Sequence, residues 1–299
     1  MTTIIKHHTA GLKITAITVC LLLFGFNQVS AQTIAPNHAD VVYAKVGDTT
    51  LSLDIYLPAG VKNPPLLVWV HGGAWMLGSK EWVRTAFVEN GIATASVGYR
   101  LSKEARFPAQ VHDIKAAIRF LRANSDKYGF NAGRIAIAGE SAGAHLAALV
   151  GVTNGHEVLE GKVGDYTNSS SNVDAILSFF GASNLTSILS QSTPHGLKVR
   201  EPALNLLLGA LPKDTPELAK LASPVFHVDA NDPPLLLLHG DLDPQMPINQ
   251  SHELEGAYKK YRLDAFFDVV HGGGHGTGGF YEGQHLKRVM NFIQRTIVR

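Results

Sequence analysis

Cysteine is almost absent from the sequence, since Cys20 is the only one among 299 residues. It lies in the apolar run Ile14–Phe26, which follows Lys6 and Lys13. A basic start, a short apolar centre and small residues up to Ala31 are typical of a secretory signal peptide, so residues 1–31 are predicted to be one, cleaved after Ala31. Residues 32–299 contain no cysteine, which excludes disulfide bonds and thiolate ligands or nucleophiles in that part of the chain.

Long hydrophobic runs are also lacking. The apolar run Ile14–Phe26 is shorter than the roughly 20 residues that a membrane-spanning helix needs. A lipid anchor on Cys20 is the alternative, but Leu21, Leu22 and Leu23 continue the apolar run where a mature lipoprotein turns polar. We therefore expect an exported bacterial protein, periplasmic or secreted, with no stable membrane anchor after signal cleavage.

Neither sign of charge is in excess. The chain has 26 Lys and Arg residues against 25 Asp and Glu, and two of the basic residues lie in the predicted signal peptide. A protein without net positive charge is poorly suited to bind phosphate backbones, so nucleic acid is excluded as the expected partner. With 45% hydrophobic and only 17% charged residues, the composition also excludes extended disorder.

Short apolar runs alternate with helical patterns, and this predicts an α/β fold. Helical spacing is clearest at Val111, Ile114, Ile118 and Leu121, and again in residues 286–297. The runs typical of strands are 51–56, 65–70, 92–97, 135–138, 175–180, 235–238 and 266–270. Because buried strands that alternate with amphipathic helices form parallel sheets, we expect a mostly parallel central sheet flanked by helices.

Residues 32–299 contain no internal repeat and no Gly/Ser/Pro-rich linker, so we expect one domain. Two stretches interrupt the alternation of strands and helices. Residues 156–172 are polar and rich in serine, which predicts a surface loop. Residues 186–228 separate two predicted strands and form either a small lid over the carboxyl ends of the strands or an ordinary crossover connection.

A Gly-x-Ser-x-Gly pattern marks the first candidate site. Gly139, Ser141 and Gly143 lie between the predicted strand 135–138 and a helical stretch that begins at Ala144. On such a strand-to-helix turn the serine oxygen points into the cleft, and the flanking glycines let neighbouring backbones approach. The following helix directs its first amides and its positive dipole end at the same point. The pattern therefore predicts that Ser141 is a nucleophile.

A second glycine motif follows the predicted strand 65–70. His71, Gly72 and Gly73 open the sequence His-Gly-Gly-Ala-Trp, which ends at Trp75. Glycines at this place let the backbone approach a reacting carbonyl group and present amides to its developing negative charge. An ordinary glycine turn is the alternative, but the occurrence of Ser141 about 70 residues later favours an oxyanion-binding loop.

A serine nucleophile needs a histidine base and an acid that orients the base. When the serine lies on this type of turn, the acid and the histidine follow it in the chain. Asp241 and Asp243 follow the predicted strand 235–238, and His271 and His275 follow the predicted strand 266–270. Both loops leave the same edge of a parallel sheet as Ser141, so both members of each pair are candidates.

Local sequence favours one member of each pair. Asp243 precedes Pro244 and Pro247, which stiffen its loop and would hold a carboxylate still against an imidazole. Three glycines carry His275 away from the strand, whereas His271 directly follows the strand end. Asp241 and His271 are expected to structure the loops by hydrogen-bonding the backbone.

The spacing of the histidines does not predict a metal site. His271 and His275 have the spacing of a helical zinc pair, but the glycines between them do not favour a helix and no glutamate base accompanies them. His145 lies one helical turn after Ser141 and precedes both candidate acids, so we interpret it as a polar packing residue. We expect neither a metal nor a cofactor.

Several ordered motifs together resemble the α/β-hydrolases of the hormone-sensitive-lipase-like group of bacterial esterases, and within that group the exported acetyl, feruloyl and general carboxylesterases. The resemblance runs from about residue 41 to the C-terminus and rests on Asp54–Pro58, His71–Trp75, Tyr99–Leu101, Gly139–Gly143, His239–Pro247 and Gly274–Gly276. It implies the α/β-hydrolase fold for a catalytic domain at 32–299. It also implies the site residues: Ser141 as nucleophile, Asp243 as acid, His275 as base, and the backbone amides of Gly72, Gly73 and Ala142 as the oxyanion hole.

The function that we expect from this resemblance is hydrolysis of carboxylic esters through an acyl-enzyme, on short-chain or aryl esters such as acetyl or feruloyl groups. The substrate would be a small molecule or an ester carried by a polysaccharide. A serine peptidase or amidase of the same fold and a non-catalytic binding protein built on this fold are the alternatives. The aromatic residues that would line an acyl or sugar pocket, or else belong to the core, are Trp75, Trp82, Phe179 and Phe180.

Overall fold

The computed structural model describes residues 34–298, so the predicted signal peptide lies outside the described residues. Within that range the strands form one sheet in the order β1-β2-β4-β3-β5-β6-β7-β8. Their bounds are β1 His38–Val46, β2 Thr49–Tyr56, β3 Pro65–Val70, β4 Ala93–Val97, β5 Asn131–Glu140, β6 Ala175–Phe179, β7 Leu235–Gly240 and β8 Ala265–Val270. The pairs β1·β2 and β2·β4 are antiparallel, and the remaining pairs, β4·β3, β3·β5, β5·β6, β6·β7 and β7·β8, are parallel. The expectation of a mostly parallel α/β sheet is confirmed.

Helices connect the strands of the sheet. Their bounds are α1 Ala86–Glu89, α2 Ala109–Ala123, α3 Ser125–Tyr128, α4 Ala142–Gly151, α5 Glu157–Glu160, α6 Ile188–Gln191, α7 Pro194–Leu208, α8 Pro216–Leu221, α9 Asn249–Lys260 and α10 Gly283–Thr296, with a short 3₁₀ turn at Pro224–Phe226. None of the helices in residues 34–298 has the length and apolar character that crossing a membrane requires.

The helices pack on both faces of the sheet because successive side chains of a buried strand point to opposite faces. In β3, Leu66 and Val68 belong to a core that includes α2, α4, α7 and α9. Leu67 and Trp69 belong to a second core with α1 and α10. Burial on both faces explains why β3 is almost continuously apolar in the sequence.

The antiparallel edge strand β1 was not predicted from the sequence. Its side chains are mostly exposed or half-buried, and its pairing with β2 is irregular at two places, between His38 and Val41 and between Val42 and Ala44. These irregularities break the alternation of apolar and polar residues that marks a regular half-buried strand. The apolar and polar residues of this segment therefore do not alternate regularly enough to predict a strand.

The prediction of a surface loop at 156–172 is wrong in part. The stretch contains the short helix α5 and buries Leu159. Glu160 accepts hydrogen bonds from the buried side chains of Lys115 (3.1 Å) and Arg119 (2.5 Å) on α2. A buried cation requires an anionic partner, and this pairing ties the polar stretch to the body of the domain.

Residues 186–228 contain α6, α7 and α8 between β6 and β7. Ala203, Leu204 and Leu207 on α7 are buried in the same core as α2 and α4. The carbonyl of Leu207 also accepts a hydrogen bond from the amide of Phe107 at 2.9 Å. These contacts are those of a packed crossover connection, and the role of the segment as a lid stays a prediction.

Candidate active site

Ser141 lies on the sharp turn that joins β5 to α4. Its backbone has φ 53° and ψ −117°, a conformation in the left-handed half of φ space that a serine adopts at a cost of about 1–3 kcal/mol. The turn is held by a hydrogen bond from the Ser141 amide to the carbonyl of Phe179 on β6 (2.9 Å). The side chain is thereby set at the carboxyl edge of the sheet, where α4 begins.

The two glycines of the motif make this turn possible. A Cβ atom on Gly143 would lie 2.1 Å from the carbonyl oxygen of Val70, and one on Gly139 would lie 2.4 Å from the carbonyl oxygen of Gly143. Both distances are far below van der Waals contact. The turn therefore requires glycine on both sides because backbone from β3 passes directly beside it.

Ser141, His275 and Asp243 form one hydrogen-bonded series. The Ser141 hydroxyl and Nε2 of His275 lie 2.9 Å apart. Nδ1 of His275 donates to Oδ2 of Asp243 at 2.7 Å. With Nδ1 carrying the hydrogen, Nε2 is the acceptor for the serine hydroxyl, which is the arrangement that a base requires.

The Asp243 carboxylate is buried but well supported. Its Oδ1 accepts hydrogen bonds from the backbone amides of Gln245 and Met246, both at 2.8 Å. Burial alone raises the pKa of Asp243, but the neighbouring His239 and His275 and the Met246 amide lower that pKa to well below its usual range. Asp243 is therefore ionised at neutral pH.

Two residues that were not predicted from the sequence support the acid loop. His239 is buried beside Asp243, and its Nε2 donates to the carbonyl of Met246 at 3.0 Å. Arg200 on α7 is also buried, and its guanidinium donates to the carbonyl of Gln245. Burial lowers the pKa of Arg200 to about 10, against the opposing effect of the Asp243 charge. A single arginine in a long connection carries no sequence signal that would single it out.

The other acid and histidine form a separate pair at the surface. Nδ1 of His271 donates to Oδ2 of Asp241 at 2.8 Å, and the amide of Gly272 donates to Oδ1 at 2.7 Å. The His271 side chain is 85% exposed. These contacts join the two loops to each other. Asp241 accepts from a backbone amide as expected, whereas His271 contacts the Asp241 side chain rather than backbone.

The loop after β3 lies against the serine turn. The Cα of Gly72 packs so closely that an added Cβ would lie 3.0 Å from the carbonyl oxygen of Glu140, and Gly73 has φ 104°. Among the described residues, the backbone amides of Gly72, Gly73 and Ala142 donate to no backbone or side-chain acceptor. Gly72 and Gly73 line the same cleft as Ser141. The structure thus leaves these donors available beside the serine.

His145 links three parts of the molecule. Its Nδ1 accepts from the Trp75 indole at 3.1 Å, and its Nε2 donates to the carbonyl of Ala222 at 2.6 Å. Burial lowers the pKa of His145 to about 4, so the ring is neutral at pH 7. These contacts agree with its interpretation as a packing residue.

In residues 34–298 no cluster of three His, Cys, Asp or Glu side chains is arranged to hold a metal ion, and independence from metal stays a prediction.

A cleft of about 380 Å³ opens above the serine. Ser141, His275, Phe180 and Trp82 line it, and the Phe180 ring meets the His275 ring edge-on at 4.8 Å between centroids. Four aromatic residues are candidates from the sequence for lining the pocket or the core. Two of them, Trp75 and Phe179, are fully buried in the core. A larger depression of about 740 Å³ between β8 and α10 contains none of these groups, so size alone does not identify the site.

Glu140, directly before Ser141, forms a cluster that was also not predicted. Nε and Nη2 of Arg84 donate to its Oε2 at 3.0 and 2.6 Å, and the Tyr281 hydroxyl donates to the same oxygen at 3.2 Å. Glu140 is visible in the motif, but its partners come from the loop after β3 and the loop after β8. Only the fold brings those loops together.

Comparison with known proteins finds esterases among the relatives of this chain. Esterase LipC of Mycobacterium tuberculosis is 31% identical over 220 residues, which are 72% of this chain and 53% of LipC. The chain spans about half the length of the first curated relatives that it matches.

Solved structures show the same fold. A truncated carbohydrate esterase from gut microbiota matches with a TM-score of 0.80 and 33% identity, over 89% of this chain and 98% of that one. The thermophilic esterase Est2 of the Planctomycetes species Thermogutta terrifontis matches with a TM-score of 0.68 and 26% identity, over 87% of this chain and 92% of that one. The α/β-hydrolase fold implied by the motifs is confirmed.

The BD-FAE family matches residues 53–258, which include Gly72, Gly73, Ser141 and Asp243 but end before His275. The match covers most of the described sheet and the loops that carry the serine and the acid. The resemblance to hormone-sensitive-lipase-like esterases is therefore confirmed, and the chain belongs to the BD-FAE family.

Proposed function

We propose that the protein hydrolyses carboxylic esters through a covalent acyl-enzyme on Ser141. The observation that carries the proposal is the hydrogen-bonded series from Asp243 through His275 to Ser141, at the mouth of a cleft that also contains the glycine loop. The distances between these three groups are those that nucleophilic acyl transfer requires. The esterase relatives support the same chemistry.

In the first half of the reaction, Oγ of Ser141 attacks the ester carbonyl carbon while Nε2 of His275 takes the hydroxyl proton. The resulting imidazolium is stabilised by the ionised Asp243, which also holds the ring in the required tautomer. Collapse of the tetrahedral intermediate breaks the bond to the alcohol oxygen, and His275 returns the proton to that oxygen. The alcohol leaves and the acyl group stays on Ser141.

In the second half, water takes the place of the alcohol. His275 removes a proton from the water as it attacks the acyl carbon, and then gives that proton to Oγ of Ser141 as the acid departs. In both halves the carbonyl oxygen becomes negative. The amides of Gly72, Gly73 and Ala142 are the proposed donors to it, and one such donor is typically worth about 3 kcal/mol.

The proposed substrates are short-chain or aryl esters, such as acetyl or feruloyl groups on small molecules or polysaccharides. The cleft of about 380 Å³ suits a small acyl group rather than a long lipid chain. Similarity to a carbohydrate esterase supports a saccharide ester, and structures of Est2 with propionate and butyrate bound support short acyl chains.

Export to the periplasm or the medium is part of the proposal, supported by the pattern of residues 1–31. Sequencing the N-terminus of the protein exported by its native host should give Gln32 as the first residue. A protein that retains Met1 or begins at Cys20 would contradict cleavage after Ala31.

The test of the proposed activity is a panel of p-nitrophenyl acetate, butyrate and longer esters beside the matched p-nitroanilides. We expect turnover of the short esters, declining with chain length, and little turnover of the anilides. Preferential cleavage of the anilides would indicate a peptidase or amidase instead. Binding without turnover of any compound would indicate a non-catalytic protein.

A further inference from the structure

Three residues at the rim of the cleft have no part in the proposed acyl transfer. They are Trp82, Arg84 and Glu140, and all three line the same cleft as Ser141. The Trp82 side chain is 50% exposed although it is large and apolar. Ligand sites are lined mostly by hydrophobic and aromatic side chains, so an exposed tryptophan beside the serine is a candidate ligand contact.

Trp82 is held in place although it is exposed. Its carbonyl accepts from the buried Trp69 indole at 2.7 Å, and its amide donates to the carbonyl of Ser79 at 3.0 Å. Its ring meets the His71 ring edge-on, with 6.4 Å between centroids. The backbone of Trp82 is therefore fixed at the rim of the cleft, and its exposed ring offers a flat apolar surface there.

Arg84 and Glu140 present a donor and an acceptor near this aromatic surface. The guanidinium of Arg84 lies 4.7 Å from the centre of the Tyr281 ring and uses Nε and Nη2 to bind Oε2 of Glu140. Within residues 34–298, Nη1 of Arg84 and Oε1 of Glu140 have no hydrogen-bond partner, and neither is among the buried unpartnered atoms. Both atoms therefore retain some solvent-accessible surface, and both residues line the cleft.

The charge of this pair selects the kind of ligand. Because the Glu140 carboxylate neutralises the Arg84 guanidinium, the pair has no net charge with which to attract an anion. It offers one N–H donor and one carboxylate acceptor, a combination that matches hydroxyl groups, since each hydroxyl both donates and accepts. A sugar ring has hydroxyls on its edge and C–H groups on its face, and the face suits an aromatic surface.

We propose that Trp82, Arg84 and Glu140 form a subsite that binds the neutral sugar ring of the ester substrate, with the ring stacked on Trp82. This inference rests on the proposed ester hydrolysis and adds the residues that recognise the saccharide. Arg84 and Glu140 bind ring hydroxyls, and Ser141 attacks the acyl group that the sugar carries. The subsite favours a neutral sugar over an acidic one.

The test compares two acetate esters that give the same acetyl-enzyme, an acetylated xylo-oligosaccharide and ethyl acetate, with acetate release as the measured quantity. Trp82→Ala should lower kcat/KM for the oligosaccharide about ten-fold, mainly by raising KM, because ring stacking is worth about one factor of ten in affinity. The loss with ethyl acetate should be much smaller, since it has no ring. Trp82→Phe should recover much of the oligosaccharide activity.

Tyr261→Ala is the matched control, because Tyr261 is a similarly exposed aromatic residue (49%) that does not line the cleft. It should change neither substrate's kcat/KM. Equal losses on both substrates in Trp82→Ala would overturn the subsite and leave Trp82 with a structural role. A wild-type enzyme that cleaves ethyl acetate but not the oligosaccharide would overturn the subsite alone, whereas failure on both esters would refute the proposed ester hydrolysis.

Discussion

At the scale of single residues, the sequence offers two candidate acids, Asp241 and Asp243, and two candidate histidines, His271 and His275. The local sequence of each loop favours one member of each pair. In the structure, His275 contacts both Ser141 and Asp243. His271 instead pairs with Asp241 at the surface. Loop stiffness and glycine spacing favoured the same two residues. Arg200 supports the loop of Asp243 through the Gln245 carbonyl. No sequence signal indicates this support, because it depends on a contact between distant parts of the chain.

The two acids give a prediction with a built-in control. Asp243→Asn should lower kcat for p-nitrophenyl acetate by about 10⁴, because an amide holds the His275 ring in the wrong tautomer. Asp241→Asn should lower kcat far less, since it weakens only the surface pair with His271 and the Gly272 amide. Circular dichroism should show that both variants fold. Loss of activity in Asp241→Asn with normal activity in Asp243→Asn would contradict the acid assignment.

At the scale of elements, the turn between β5 and α4 was the most predictable part of the site. A strand, the Gly-x-Ser-x-Gly pattern and a helix are consecutive in the chain, so local sequence sufficed to place Ser141. The neighbouring strand β3 limits what the turn tolerates, because its carbonyls lie against Gly143. The packed connection at 186–228 was less predictable, because its burial depends on α2 and α4 rather than on its own pattern.

Gly143→Ala tests the close approach at the turn. Its Cβ would lie 2.1 Å from the Val70 carbonyl oxygen, so the turn must shift, and we expect a loss of about 2 kcal/mol or more in the free energy of unfolding together with lower ester turnover. Gly256→Ala on α9 is the control, because nothing lies within 4 Å of its added Cβ. It should stabilise the protein by about 0.5–1 kcal/mol, as expected for alanine in a helix. Urea unfolding measures the free energy of unfolding of both variants. A Gly143→Ala variant as stable as the wild type would contradict the packing described for the turn.

At the scale of the whole molecule, buried neutral histidines make the folded state sensitive to acid. Burial lowers the pKa of His71 and that of His145 from 6.5 to about 4. Each histidine binds a proton more readily in the unfolded chain, so its stabilising contribution is complete above pH 6.5 and is lost as the pH falls from 6.5 to 4. The lowered pKa of Asp243 adds a further loss at still lower pH.

The contribution of each histidine to the free energy of unfolding should therefore fall by about 2 kcal/mol between pH 7.5 and pH 5, while burial raises the pKa of Asp232 to about 7 and so opposes this loss. His145→Gln keeps a donor and an acceptor for Ala222 and Trp75 but does not titrate, so its free energy of unfolding should fall less over the same range. Urea titrations at both pH values measure the difference. A His145→Gln variant whose free energy of unfolding falls as much as that of the wild type between pH 7.5 and pH 5 would contradict the neutral burial of the His145 ring.

The fold and the site together support acyl transfer through the Ser141 hydroxyl. The most direct measurement is the rate of p-nitrophenyl acetate hydrolysis by Ser141→Ala beside the wild-type protein, with folding checked by thermal unfolding. We expect a folded variant whose turnover is lower by several orders of magnitude, because only substrate binding and the oxyanion donors remain. Turnover by Ser141→Ala equal to that of the wild type would contradict acyl transfer through Ser141.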